Sequence, residues 1–175
     1  MRRLFFFSLA VFVLSTAAWA QPTPDEKLAA FDPFETLYIL RVAENGVMAD
    51  VRLILADPEN EKDGYLWAMK VLAFDFALLS KLAAPHHTEV SKIYEERSEI
   101  YARYVRGESD DVKLKAEEKA NEDRKNANYN KRFEAYSDTD KAAAQLRKVA
   151  LDNAAREVGN AVIGQAKIFA SERPK

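Results

Sequence analysis

Cysteine is absent from this chain of 175 residues. Disulfide bonds, thiolate metal sites, cysteine nucleophiles and haem attached through cysteine are therefore excluded. Glycine is also scarce, with five residues, and no glycine-rich turns recur at the intervals typical of a sheet protein. The composition therefore favours an all-α fold whose stability comes from a packed core.

The sequence also lacks the short motifs of common enzyme classes. It contains no Gly-x-Ser-x-Gly, no glycine-rich phosphate loop and no His-Glu-x-x-His, which would indicate a hydrolase, a nucleotide site or a zinc site. Its 28 acidic residues make chance pairs of carboxylates too common to nominate a catalytic pair. We therefore predict no catalytic residue and no cofactor, and an enzyme is the less favoured class.

The first twenty residues have the three parts of a signal peptide. Two arginines precede an apolar run over residues 4–18, and Ala-Trp-Ala at 18–20 is a small-x-small cleavage site. The run is short for a transmembrane helix, which needs about 20 apolar residues. We expect cleavage after Ala20, export to the periplasm or the exterior, and no membrane span afterwards. An uncleaved anchor is the alternative.

The remainder of the chain has no excess of basic charge. Without residues 1–20 it carries 24 basic and 28 acidic residues, a net charge of −4, and the two signs are interspersed. A surface of this kind lacks the basic patch that attracts nucleic acids or anionic membranes. We therefore expect no nucleic-acid partner.

The chain after residue 20 has the length of one domain. We expect a leader at residues 21–32, a single helical domain at 33–171 that includes a charged arm at 106–136, and a frayed tail at 172–175. Proline, glycine and capping residues mark the ends of helices within the domain. At Asp57-Pro58, for example, one helix is expected to end and another to begin. The predicted helices lie near residues 33–56, 64–84, 88–106, 110–136 and 139–171.

Two patterns conflict in the first predicted helix. A seam at alternating three- and four-residue spacing is typical of one helix face. Its members are Leu37, Leu40, Glu44, Val47, Val51 and Ile54. Asn45-Gly46, however, lies between two runs rich in β-branched residues, which is also the signature of a type I′ hairpin. We predict the helix because the seam passes through Asn45-Gly46 without a slip, and the hairpin is the alternative.

Residues 64–84 are apolar on almost every side of a helix, so this helix needs neighbours on several sides. We expect it to be the centre of a bundle of about four to five helices. Asp75 lies within it, and a desolvated carboxylate has a raised pKa. Asp75 could therefore anchor a ligand or act as a general acid or base. The favoured interpretation is instead an ion pair with Arg41 or Arg52, or contact with water.

The segment His86-His87-Thr88-Glu89 follows the central helix. Its two histidines and Glu89 could gather a metal with Asp75. Adjacent histidines point apart on most backbones, however, and the strong zinc pattern has histidines at i and i+4. The favoured interpretation has Thr88 capping the next helix and both histidines in solvent.

The helix near 88–106 has one amphipathic stripe. Its members are Val90, Ile93, Tyr94, Arg97, Ile100, Tyr101, Tyr104 and Val105. Three tyrosines on a stripe could line a ligand pocket, but more often they form the outer layer of a core with their hydroxyls in water. We expect the second arrangement.

The arm has a different composition. Between Arg106 and Glu134 the chain carries eight basic and eight acidic residues and few apolar ones. This pattern predicts a solvated helix with weak ion pairs, or a disordered arm. We expect it to stand away from the core and to fold back on the final helix, anchored by Tyr129, Phe133, Tyr136 and Leu146. Its far end is the predicted partner-binding surface, with Lys113, Lys115, Lys119, Arg124 and Lys125.

Two classes of function fit these features. The favoured class is a binding or assembly protein of the bacterial cell envelope, such as a secretion or pilus subunit, a chaperone, or an inhibitor or immunity protein, which contacts another envelope or secreted protein. The alternative is a periplasmic binder of a small molecule or metal that uses the interior around Asp75, Trp67, Tyr101 and His86. A deep pocket with convergent polar groups would favour the alternative.

Overall fold

The computed structural model describes residues 23–56 and 64–171, which form helices and no strand. The helices are α1 (Pro24–Leu28), α2 (Pro33–Ala56), α3 (Gly64–Ala83), α4 (Thr88–Val105), α5 (Asp111–Ala135), α6 (Asp138–Leu146) and α7 (Lys148–Ser171). The predicted all-α fold is confirmed. The predicted signal peptide, the restart at Asp57-Pro58 and the tail at 172–175 lie outside the described residues.

The helix α2 runs unbroken through Asn45 and Gly46, so the hairpin alternative is wrong. At its start, Asp32 and Glu35 form a reciprocal cap. The Glu35 N–H donates to Asp32 Oδ1 at 2.8 Å, and the Asp32 N–H donates to Glu35 Oε2 at 3.2 Å. These reciprocal bonds satisfy N–H groups that a first helical turn leaves unpaired. The predicted seam is buried except at Ile54, which is partly buried.

The helix α3 is the centre of the bundle, as predicted, because α2, α4 and α7 all pack against it. It runs antiparallel to α4. The Ser80 hydroxyl donates to the Ser91 carbonyl at 2.9 Å, and the Ser98 hydroxyl donates to the Ala73 carbonyl at 2.7 Å. Eleven residues of α3 are therefore buried, and Phe76 in its second half has no exposed surface.

The helices α2 and α7 run parallel and touch closely. Gly159 of α7 lies against Ala43 of α2, where an added Cβ would make an ordinary van der Waals contact at 3.5 Å from Ala43 Cα. Further along both helices, Lys167 Nζ pairs with Asp50 Oδ1 at 2.8 Å. The sheet-free core is therefore built from α2, α3, α4 and α7, with α5 added on the side of α2 and α4.

The final helix, predicted as one element over 139–171, is divided at Arg147 into α6 and α7. The Arg147 guanidinium pairs with Glu35 of α2 at 2.9 Å and lies over the ring of Phe31. Within α6 only Ala144 is buried, so few contacts hold α6 in line with α7. Proline and glycine are the usual sequence signals of a kink, and neither residue lies at this break.

The charged arm does not stand away from the core. The helix α5 runs antiparallel along α4, and its Leu114 and Tyr129 are buried. Phe133 meets Phe34 of α2 edge to face, with ring centroids 5.4 Å apart. Leu146, the expected anchor of a hairpin with the final helix, is 90% exposed. That predicted hairpin is wrong because the aromatic residues of α5 pack on α2 instead.

Candidate functional site

The charges of α5 are divided between its two faces. Glu117 pairs with Arg103 of α4 at 2.9 Å, and Glu118 accepts a hydrogen bond from the Tyr101 hydroxyl at 2.6 Å. These carboxylates therefore face α4, where their charges are neutralised or hydrogen-bonded. Acidic and basic residues alternate along the sequence of α5, but in the helix some of these side chains face α4 and others face outward.

The outer face of α5 carries most of its basic residues. Four of the five predicted partner-binding residues are exposed there: Lys113, Lys115, Lys119 and Arg124. Lys119 pairs with Asp123 on the same helix at 2.8 Å, and Arg124 pairs with Glu96 of α4. The exposed positions of α5 therefore carry more basic than acidic side chains, since only Asp111, Asp123 and Glu134 are exposed acidic residues of this helix.

Lys125, the fifth predicted residue, is buried. Its Nζ lies 2.5 Å from Glu44 Oε1 and 2.8 Å from Glu122 Oε2. A partner protein could not reach this ammonium group without first unpacking α5. The expectation that Lys125 lies on the docking surface is therefore wrong, because the fold pairs it with a carboxylate in the core.

Lys125 belongs to a cluster formed by Glu44, Arg97, Glu122 and Lys125. We call it the buried ion cluster because three of these residues are buried, whereas Glu122 is partly exposed. Arg97 Nη1 lies 3.3 Å from Glu44 Oε1 and 2.7 Å from Glu122 Oε2. Each carboxylate therefore contacts both cations, and each cation contacts both carboxylates. Since Glu44 is on α2 and Arg97 on α4, the buried ion cluster fastens α5 to two helices of the core.

Two buried tyrosines extend the cluster. The Tyr94 hydroxyl donates to Glu44 Oε2 at 3.2 Å and lies 2.8 Å from the Tyr129 hydroxyl. The expectation that the tyrosines of α4 direct their hydroxyls to water is wrong for Tyr94 and Tyr101, which are fully buried. The fold supplies Glu44 and Glu118 as acceptors in place of water.

The pKa shifts around the cluster point away from proton transfer. Burial raises the pKa of Tyr94 and of Tyr129. Burial also acts to raise the pKa of Glu122, but hydrogen bonds from Lys125 and Arg97 outweigh it and lower that pKa. General acids and bases work best with a pKa near the ambient pH. These groups are moved away from neutrality, so their arrangement suits a structural role.

Asp75, the predicted desolvated carboxylate, is 0% exposed. Neither of its oxygens accepts a hydrogen bond from the described residues, so the expected pair with Arg41 or Arg52 is wrong. Burial, together with the charge of Asp50, raises the pKa of Asp75 to about 7, against the opposing effect of Lys167. The sequence thus indicated that Asp75 is buried, but it did not indicate which residues lie beside it.

The candidate metal ligands His86, His87 and Glu89, which the sequence pattern did not favour, do not gather around a site with Asp75. Across residues 23–56 and 64–171, no group of three or more His, Asp or Glu side chains is arranged to hold a metal ion. His87 is buried, its Nε2 lies 2.7 Å from the Pro33 carbonyl oxygen, and it occupies the N-cap position of α4 that was expected for Thr88. Burial lowers the pKa of His87. The favoured placement of both histidines in solvent is therefore wrong for His87.

The residues of the alternative small-molecule site contact different helices. The Tyr101 hydroxyl bonds to Glu118 of α5, whereas Asp75 lies near charges on α2 and α7. Four surface grooves lined by described residues do not include Asp75, Trp67, Tyr101 or His86. One groove between α2 and α7 has a volume of about 470 Å³.

Sequence reasoning missed the buried ion cluster, although two of its members carried a signal. Glu44 and Arg97 each occupy a position on the apolar stripe of their helix. A charge at such a position is costly to bury unless it is paired, so the two could have been matched as partners. Lys125 carried no such signal, because charged residues and asparagines surround it on an apparently solvated helix.

No family model matches this chain, and comparison with curated proteins and with solved structures likewise finds no match. Among the helices of the described residues, none combines the length and hydropathy that a membrane span requires.

Proposed function

We propose that this chain is an exported helical protein of the bacterial cell envelope that works by binding another protein. The outer face of α5 is the observation that carries this proposal. This helix face carries exposed basic side chains, and the buried ion cluster holds the helix against the core through Lys125–Glu44 and Glu122–Arg97. The same surface would serve a secretion or pilus subunit, a chaperone or an inhibitor.

The outer face of α5 also has a row of small apolar residues. The buried row of this helix is Leu114, Asn121, Lys125 and Tyr129. Opposite to it lies an exposed row with Val112, Ala116, Ala120 and Ala127. Small side chains let a second helix approach closely, and the flanking lysines would attract acidic side chains on it. We therefore expect the partner to present an acidic surface, since complementary charge favours encounter and register.

Reversing three lysines of the outer face should abolish partner capture. We choose Lys113→Glu, Lys115→Glu and Lys119→Glu, and omit Arg124 because its reversal would place a carboxylate beside Glu96. Exposed ion pairs contribute about 0–1 kcal/mol each, so the melting temperature should change by only a few degrees. The measurement is capture of the partner from envelope extract by the tagged protein without residues 1–20, with a melting curve for each variant.

A matched variant controls for net charge. Lys81, Lys92 and Lys141 are exposed on other helices, and their reversal changes the charge by the same amount. Capture should survive in this control. Capture that persists in the α5 variant, or that disappears equally in both variants, would contradict a docking surface on α5.

Export is tested separately from binding. The arginines, the apolar run and the Ala-Trp-Ala site at residues 18–20 support removal of the first twenty residues. We expect Gln21 to be the first residue of the protein recovered from a bacterial host that secretes it. Intact mass measurement decides this, and a retained residue 1 would contradict cleavage while leaving the docking surface on α5 open to its own test.

A further inference from the structure

The helices α2, α3 and α7 meet at a second buried polar group, which is distinct from the ion cluster. Asp75 lies in the middle of α3 with no exposed surface, and neither of its carboxyl oxygens has a hydrogen-bond partner among the described residues. On α2, Asp50 Oδ2 is likewise buried and unpartnered, while Asp50 Oδ1 pairs with Lys167 of α7. Two carboxyl groups and one ammonium group therefore share this junction.

The charged groups that act on Asp75 come from two of the helices around it. Asp50 of α2 disfavours the ionised form of Asp75, and Lys167 of α7 favours it. The helix α4 packs on the opposite side of α3, where its Ser91 and Ser98 bond to α3 backbone carbonyls. Lys167 is already committed to Asp50, so it offers Asp75 little compensation for the loss of water.

We propose that Asp75 is a proton-binding site, and that protonation of Asp75 tightens the junction of α2, α3 and α7. An unpaired carboxylate in an apolar interior is strongly disfavoured, and such a group takes up a proton instead. The neutral acid also removes the repulsion from Asp50. The junction is therefore most stable when the proton is bound and loosens as the proton leaves.

The direction of the pH effect follows from linkage. The pKa of Asp75 is raised to about 7 in the folded protein, whereas an aspartate in an unfolded chain has a pKa of about 3.9. Between these values the folded state binds the proton and the unfolded state does not. Stability from this site is therefore complete below about pH 4, falls as the pH rises, and levels off above about pH 7.

The test compares the wild type with Asp75→Asn, since asparagine resembles the protonated acid. Equilibrium constants of unfolding are measured in urea at pH 5 and pH 8. The wild-type constant divided by that of Asp75→Asn should rise by about 100-fold between these pH values. A ratio that stays constant, or a variant that is less stable than the wild type at pH 8, would overturn the proton site.

Two further measurements keep the result unambiguous. Asp123→Asn changes an exposed aspartate of α5. The wild-type unfolding constant divided by that of Asp123→Asn should not change over the same pH range. The infrared difference spectrum of the wild type between pH 6 and pH 8 should show the loss of a carboxylic-acid C=O band, and this loss should be much smaller for Asp75→Asn. Stabilisation of the wild type at pH 8 by Mg²⁺ or Ca²⁺ alone, absent from Asp75→Asn, would instead assign the group to a cation.

Discussion

Replacing Lys125 by Met is expected to lower the free energy of unfolding by about 3 kcal/mol. Removing one partner of a buried ion pair typically costs about 3–5 kcal/mol, because the other charge stays buried without compensation. Glu44 is 2% exposed and would lose its contact with Lys125 at 2.5 Å. We expect the lower end of that range because Arg97 still contacts Glu44.

The matched control is Lys119→Met on the same helix. Lys119 is 76% exposed and pairs with Asp123, four residues on. Exposed pairs of this type contribute about 0.3–0.5 kcal/mol, so the control should unfold almost as the wild type does. Urea unfolding of both variants is the measurement. Equal, small losses would mean that α5 is a weakly held arm after all.

The double variant Glu44→Gln with Lys125→Met separates the ion pair from packing. It also removes the buried carboxylate charge that has lost its Lys125 partner in Lys125→Met. We therefore expect it to be less destabilised than the sum of the two single variants, since residues in contact are coupled. Strict additivity would indicate that the two charges act independently.

Replacing Phe76 by Ala is expected to cost about 3–5 kcal/mol, the range for truncating a buried aromatic residue. Phe76 is fully buried in α3. Its ring lies 5.8 Å from the rings of both Tyr94 and Tyr101, and the Arg97 guanidinium lies over it at 5.2 Å. Truncation therefore opens a cavity in the core and removes a contact of the buried ion cluster.

Leu66→Ala on the same helix is the control for Phe76→Ala. Leu66 is 49% exposed, so its truncation should cost less than about 1 kcal/mol, as is usual for a position outside the core. Denaturant unfolding compares the two. A loss below 1 kcal/mol for Phe76→Ala would contradict the central position of α3.

The faces of α2 and α3 could be predicted from the sequence because helix periodicity is a local property. The seam through Leu37 and Val51 needed only the spacing of residues along one helix. The break at Arg147 could not be found in this way. It coincides with contacts to Glu35 and Phe31, which lie more than a hundred positions away in the chain.

The candidate site was only partly accessible to the same reasoning. The exposed lysines of α5 were recognised because interspersed charge at helical spacing predicts a solvated face. Asp75 was recognised as a candidate for burial because apolar residues surround it in the sequence. Its neighbours Asp50 and Lys167 were not recognised, because they belong to two other helices.

The sequence by itself determined the helical class, most helix boundaries and the central position of α3, since each depends on residues that are close in the chain. Only the tertiary structure decided which charges are buried. Glu44 and Lys125 are 81 residues apart, and their local patterns do not identify each other as partners. A lysine on a polar helix is exposed or buried according to the helix that packs beside it, and the energy of an ion pair depends on that burial.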